Sequence, residues 1–110
     1  MKEDRWHLPT KDVLNAMYKN IDGLDDGAYW SSSENGSIYA WFQYMSNGVQ
    51  YLDSKFYSKQ VRAVRVLPEV HTEKENVFKI KDKEYQAYRK DAPGDSNWKE
   101  AIKYCKELDK

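Results

Sequence analysis

The chain has 110 residues, with Lys+Arg and Asp+Glu at 18 each and a formal net charge of zero. That length fits one domain with a single core. The charge balance favours neither a phosphate backbone nor an anionic membrane surface, so neither nucleic acid nor membrane insertion is expected. No apolar run approaches a transmembrane helix, and no signal peptide is legible at the N-terminus. The single cysteine, Cys105, excludes a disulfide framework and any zinc site built on paired thiolates. Nine Tyr, four Trp and three Phe in so polar a chain imply that some rings lie at the surface, where Tyr keeps its hydroxyl wet.

The first predicted helix follows "LPT". Thr10 is the N-cap, Val13, Leu14, Met17, Tyr18 and Ile21 form an apolar stripe, and Gly23 marks the stop. From 28 to 66 the pattern changes to short strands. "IYAWFQYM" is separated from "VQYLDS" by Ser46-Asn47-Gly48, and Asn-Gly is a strong hairpin signal. "QVRAVRV" reads as a strand with one buried face, Val61 and Ala63 inward and Arg62 outward, the theme repeating at Val64, Arg65 and Val66. Trp30, Trp41, Val61 and Val64 are assigned to the core. Pro68 ends that strand and "EVHTEKEN" is a polar connector. "VFKIKDKEYQAYRK" suggests a further hairpin. The second helix, within "SNWKEAIKYCKELDK", has Asn97 as cap and Glu100 in a capping box, with Trp98, Ala101, Ile102, Cys105 and Leu108 on one face. Helices at both ends with strands between them indicate α+β.

Four segments, "RWHLPTKDVLNAMY", "AYWSSSE", "YAWFQYMSNG" and "KQVRAVRV", together resemble the C-terminal part of the Lcl C-terminal-like domains. Those domains have a C-type-lectin-like fold and are related in fold to the formylglycine-generating-enzyme group and to the variable proteins of diversity-generating retroelements. The family pattern W-R-L-P-T, Y-W-S-S-S/T-E, A-W, N-G and V-R-A/P-V-R maps onto Trp6 to Thr10, Tyr29 to Glu34, Ala40-Trp41, Asn47-Gly48 and Val61 to Arg65. His7 stands where the family has arginine, which removes whatever ion pair that arginine makes. "YQAYRKDAPGDSNWKEAIKYCKELD" resembles the segment that normally comes first. The resemblance therefore implies a single circularly permuted lectin-like domain, with two helices packed on a small antiparallel sheet. Residues 1–68 supply the family's C-terminal part, 69–76 the connector, and 77–110 the N-terminal strand and first helix. Two tandem-repeat halves, or an oligomer formed by domain swapping, would satisfy the same sequence.

Enzymatic chemistry finds little purchase. A formylglycine-generating activity needs a reactive cysteine pair, and Cys105 sits on an apolar helix face. His7 and His71 accompany no nucleophile motif, and the serines of "WSSSE" are better explained by a tight backbone turn. "IDGLDDG" offers Asp22, Asp25 and Asp26 but lacks the EF-hand spacing and its terminal Glu, so it reads as a solvated loop. "NGS" at 35–37 is a glycosylation sequon that also reads as a turn. No metal or cofactor is expected.

"YLDSKFYS" fits neither helical nor strand periodicity. In retroelement-diversified proteins of this fold, AAC codons are rewritten to codons of any first two bases followed by C, a set that excludes Lys, Glu, Gln, Met and Trp. The slots implied by the resemblance are Ser37, Ile38, Tyr39, Phe42, Tyr44, Val49, Tyr51, Leu52, Asp53, Ser54, Phe56 and Tyr57, and every one belongs to the reachable set. The excluded types, Trp41, Gln43, Met45, Gln50, Lys55, Lys59 and Gln60, fall between them as scaffold. Tyr-rich surfaces with small polar neighbours suit recognition, because Tyr offers large contact area with few rotatable bonds. The expectation is a ligand-binding module at a cell surface, in the extracellular space or on a phage virion, whose partner is a protein or a surface glycan. The alternative is an adhesin or assembly domain whose rings form a subunit interface.

Overall fold

A computed structural model describes residues 5–110. Helix α1, Lys11–Asn20, starts as its sequence directs: the Thr10 hydroxyl accepts from the Val13 N–H, and Val13, Leu14 and Met17 turn inward. Its end comes at Ile21, which goes extended and donates its N–H to the Met17 carbonyl, two residues before Gly23. Helix α2, Trp98–Glu107, carries the complete reciprocal capping box between Asn97 and Glu100.

Between the helices lie two three-stranded antiparallel sheets, not the one small sheet expected. The first is β1 (Ala28–Asn35), β2 (Tyr39–Tyr44) and β3 (Gln50–Ser54), in chain order. The second runs β4 (Val64–Val66), β6 (Lys83–Ala87), β5 (Val77–Ile80), with the β5–β6 hairpin read from the sequence and β4 paired to β6. Ladder pairing in "QVRAVRV" is confined to Val64–Val66. Residues 59–63 instead run extended past several elements: Gln60 bonds both Ala28 and Trp30, Val61 accepts from Ala92, and Ala63 accepts from Tyr88.

Strand β1 is covered on both sides, which accounts for its aromatic pair. Tyr29 and Trp30 point to opposite faces, as neighbours on a strand must, and both are fully buried. Trp30 joins Leu8, Ala40, Phe42, Val61, Ala63, Ala101 and Cys105 in a core beneath α2. Tyr29 joins Val13, Leu14, Met17, Met45, Val64, Phe78 and Ala87 in a core beneath α1. The serine run between them is a bulge within β1 and not a tight turn, because the β1–β2 register shifts between Trp30 and Glu34. Hydroxyls replace ladder bonds there. Ser31 Oγ donates to the Trp41 carbonyl at 2.7 Å and accepts from the Ser33 N–H, while Ser33 Oγ caps the Lys11 N–H at 2.9 Å.

Two further expectations are corrected. Arg62 does not face outward: it is 5% exposed, and its guanidinium donates to Asp91 Oδ1 at 2.7 Å and to the Tyr88 carbonyl at 3.1 Å. A second covered face leaves no solvent side for it, so the charge is buried with a partner. Trp41 is only partly covered. It lies on the α1 side of β2, with the Lys11 ammonium 4.3 Å from its ring centre.

Candidate ligand-binding face

The β1–β2 turn, the β2–β3 hairpin and the turn after it carry all the proposed contact residues, and their geometry follows from a few local bonds. Asn47 Oδ1 accepts the Val49 N–H at 3.0 Å, and Gly48 takes a positive φ of 79°. A Cβ on Gly48 would lie 2.6 Å from the Tyr18 ring, so the position needs glycine for both backbone and space. The Ser37-Ile38 turn is held from below by Lys55, whose ammonium donates to the Gly36 and Ser37 carbonyls and to Glu34 Oε1, while lying 4.4 Å above the Trp98 ring. The turn read from "NGS" is present at residues 36–38, after Asn35 ends β1, with Gly36 at φ 74°.

Alternation along the strands sorts the side chains. Phe42, Tyr44, Tyr51 and Asp53 share the face toward α2; Tyr39, Trp41, Gln43, Gln50, Leu52 and Ser54 share the other. On the first face Phe42, Tyr44 and Tyr51 form a mutual ring cluster with centroids 5.2 to 6.1 Å apart. Lys59 lies against this cluster, its ammonium 3.9 Å from the Phe42 centroid and 2.7 Å from Asp53 Oδ2.

Nine of the proposed contact residues are exposed: Ser37, Ile38, Tyr39, Tyr44, Val49, Tyr51, Leu52, Phe56 and Tyr57. Tyr51 is 52% exposed, Tyr57 62% and Phe56 83%. The remaining three are tied into the scaffold. Phe42 is 5% exposed, roofed by Tyr44, Tyr51 and Lys59, and belongs to the α2 core. The Asp53 carboxylate is occupied by Lys59 and the Ser54 N–H. Ser54 holds the following turn, accepting from the Phe56 N–H through Oγ and from the Tyr57 N–H through its carbonyl. None of these three presents a free group as the fold stands. The exposed apolar side chains also do not share one plane, since Tyr44 and Tyr51 lie on one face of the hairpin and Tyr39 and Leu52 on the other.

The intervening residues show the opposite pattern. Gln43 is fully buried and donates to Asn15 Oδ1 at 2.9 Å and to the Gly48 carbonyl at 3.1 Å. Gln50 donates to the Lys11 carbonyl, Gln60 to Asp25 Oδ2, and Met45 fills the α1 core. These side chains bolt the region to α1 and to the 21–27 loop, and Lys55 ties it to Trp98 of α2.

Elsewhere the reactive side chains are occupied or enclosed. Burial pushes the Cys105 thiol up to about 12, so it stays protonated near neutral pH. Tyr29 is also raised, first by burial and then by donating to Asp91 Oδ2 at 2.7 Å. His7 Nδ1 lies 2.9 Å from the Arg5 carbonyl and His71 Nε2 2.9 Å from Glu84 Oε1, the two histidines sitting apart. Among the described residues no group of three His, Cys, Asp or Glu side chains is arranged to hold a metal. None of their helices is long and apolar enough to cross a membrane. Two open clefts, of about 230 and 390 Å³, flank the second sheet around Arg65, and no hairpin residue lines either. Comparisons with family models, with curated proteins and with solved structures give no match for this chain.

Proposed function

We propose that the chain is a non-enzymatic ligand-binding module, a C-type-lectin-like scaffold in circularly permuted order that presents a diversified aromatic surface. The observation that carries this is the segregation within residues 37–60. Side chains that AAC diversification can write are mostly exposed, whereas Trp41, Gln43, Met45, Gln50, Lys55, Lys59 and Gln60 are all at least partly buried. Large rings held out by a hydrogen-bonded frame are what a paratope requires, since folding and recognition then fall to different residues. An open hairpin surface suits a macromolecular partner, a protein or surface glycan, better than a small metabolite. The setting that follows is a cell surface, the extracellular space or a phage virion.

The permuted order is supported by the chain ends. The Trp6 N–H donates to Asp109 Oδ2 at 2.9 Å, so the end of α2 lies where a direct link into the 6–10 loop would pass. At the other junction β4 and β6 are paired neighbours, and the 67–76 segment leads from one sheet edge to β5.

The binding test screens the wild-type chain against a glycan array and a display library of extracellular proteins, then repeats each hit with Tyr51, Phe56 and Tyr57 changed to Ala. The variant is expected to keep its near-ultraviolet circular dichroism and lose the hit; undiminished binding overturns the reading. Diversification itself is tested in the flanking DNA. A near-copy of codons 35 to 60 with AAC at the variable positions, beside a reverse transcriptase gene, is expected, and its absence reduces the module to a static one.

A further inference from the structure

Strand β3 is the outer strand of its sheet, and no strand among the described residues pairs with its far side. The parity of the ladder identifies which of its backbone groups point outward. Tyr44 N–H bonds Val49 and Lys55 N–H bonds Ile38, so the hydrogen-bonded pairs are 38/55, 40/53, 42/51 and 44/49. Gln50 and Leu52 occupy the alternate pairs and aim their N–H and C=O groups away from β2. Ser54, next in that series, has its own groups engaged, its N–H by Asp53 Oδ1 and its carbonyl by Tyr57. The open edge is therefore two residues long and centred on Tyr51.

Natural edges are protected by lysine, proline, a bulge or a covering loop. Among the described residues this one shows none of these: its only charge, Asp53, faces the sheet's α2 side and is neutralised by Lys59. Tyr51 and Leu52, 52% and 39% exposed, flank the open groups with apolar surface.

We infer that this edge pairs with the same edge of a second copy, joining two three-stranded sheets into one of six strands. Antiparallel pairing about a two-fold axis through Tyr51 sets Gln50 opposite Leu52 of the other copy, and Leu52 opposite its Gln50. Each of those pairs exchanges two N–H···O=C bonds, so every open group on both edges is satisfied. Tyr51 meets its own counterpart at the non-hydrogen-bonded centre, where side chains approach most closely and aromatic pairs are favourable. One step further out Asp53 faces Val49, so no like charges are opposed. The chain's zero net charge adds no long-range repulsion between copies. Pairing stops at Ser54, whose groups are already engaged, and because each copy uses the same edge on the other, the assembly closes at two. The two-fold axis stands perpendicular to the joint sheet, so Tyr44 and Tyr51 of both copies end on the same side. The assembly does not depend on what those rings bind.

Sedimentation velocity over a concentration series, combined with amide hydrogen exchange, tests this. The expected result is a monomer–dimer equilibrium in which the Gln50 and Leu52 amides become protected as the dimer forms. Leu52→Pro removes an outward N–H that the β2–β3 ladder does not use, so it is expected to abolish the dimer and keep the fold. Tyr51→Lys places two ammonium groups face to face on the axis and is expected to do the same, with partial rescue by salt. Should Leu52→Pro fail to fold, Tyr51→Lys decides alone. A chain that stays monomeric at every concentration overturns the inference and leaves the edge for a strand of some other polypeptide. A dimer whose Gln50 and Leu52 amides exchange as fast as in dilute protein overturns it too, because its interface then lies elsewhere.

Discussion

Phe42 and Phe56 are the same residue type in the same hairpin region, and the structure separates them sharply. Phe42 is 5% exposed in the α2 core and Phe56 is 83% exposed on the turn after β3. Truncating Phe42 to Ala removes a ring that touches Trp30, Tyr44, Tyr51 and the Lys59 ammonium. A fully buried Phe is worth about 1.5–3 kcal/mol in transfer alone. With the cavity left behind, the expected cost is about 3–5 kcal/mol, a large part of the ~5–15 kcal/mol that holds a small domain together. Phe56 has only about a sixth of its surface covered, so Phe56→Ala should cost roughly 0.3–0.5 kcal/mol on the same transfer scale. Urea unfolding measures both. With a slope of about 2 kcal/mol per molar, Phe42→Ala moves the midpoint down by about 2 M and Phe56→Ala by about 0.2 M. A cost below about 1 kcal/mol for Phe42, or above about 2 kcal/mol for Phe56, would refute the division of this region into frame and presented surface.

Two other perturbations test the frame. Arg62→Met takes the counter-charge from Asp91 Oδ1 and the donor from the Tyr88 carbonyl while Asp91 Oδ2 keeps Tyr29 and Gln60, so urea unfolding should show a loss of about 1.5–3 kcal/mol. Adding Asp91→Leu should recover only part of it, because the buried Tyr29 hydroxyl then loses its acceptor; a neutral single variant contradicts the buried pair. Cys105, ordinarily near 9.0, is pushed up to about 12, so above about pH 9 the unfolded chain loses a proton that the folded chain keeps. Stability is therefore full below that pH and declines as pH rises toward 12, with a shallower decline in Cys105→Ala; a wild-type stability that stays flat between about pH 8 and about pH 11 rules this out.

The parts of the fold that the sequence announces are those fixed within a few residues. Thr10 with Val13, Asn97 with Glu100, and Asn47-Gly48 each complete their geometry locally, and the structure has both helices and the hairpin where those residues put them. The misread parts depend on partners far along the chain. Arg62 looks like the polar half of an alternating strand until Asp91, 29 residues away, supplies its counter-charge and a second covered face. Phe42 becomes core because Lys59 and α2 arrive over it, and nothing within "YAWFQY" signals that arrival. "YLDSKFYS" has no period because its residues answer to three different demands. Asp53 and Lys55 hold the frame, Ser54 holds a turn, and Tyr51, Phe56 and Tyr57 stand in the open.

Those three demands also separate the side chains that anchor the hairpin from those that do not. The hairpin's orientation is set by amide and ammonium side chains that reach outside the hairpin: Gln43 to Asn15, Gln50 to the Lys11 carbonyl, Gln60 to Asp25, and Lys55 to Glu34 and the 36–37 carbonyls. The exposed rings make no such bonds, so replacing one changes the surface and leaves these anchoring bonds intact. Asp53 is the exception among the proposed variable positions, because it is the carboxylate that holds Lys59 against Phe42. A neutral residue there leaves a nearly buried ammonium with only ring faces for company, and that ion is costly without a counter-charge. Substitution at 53 is thus restrained by the frame, whereas substitution at 56 and 57 leaves every one of these anchoring bonds in place.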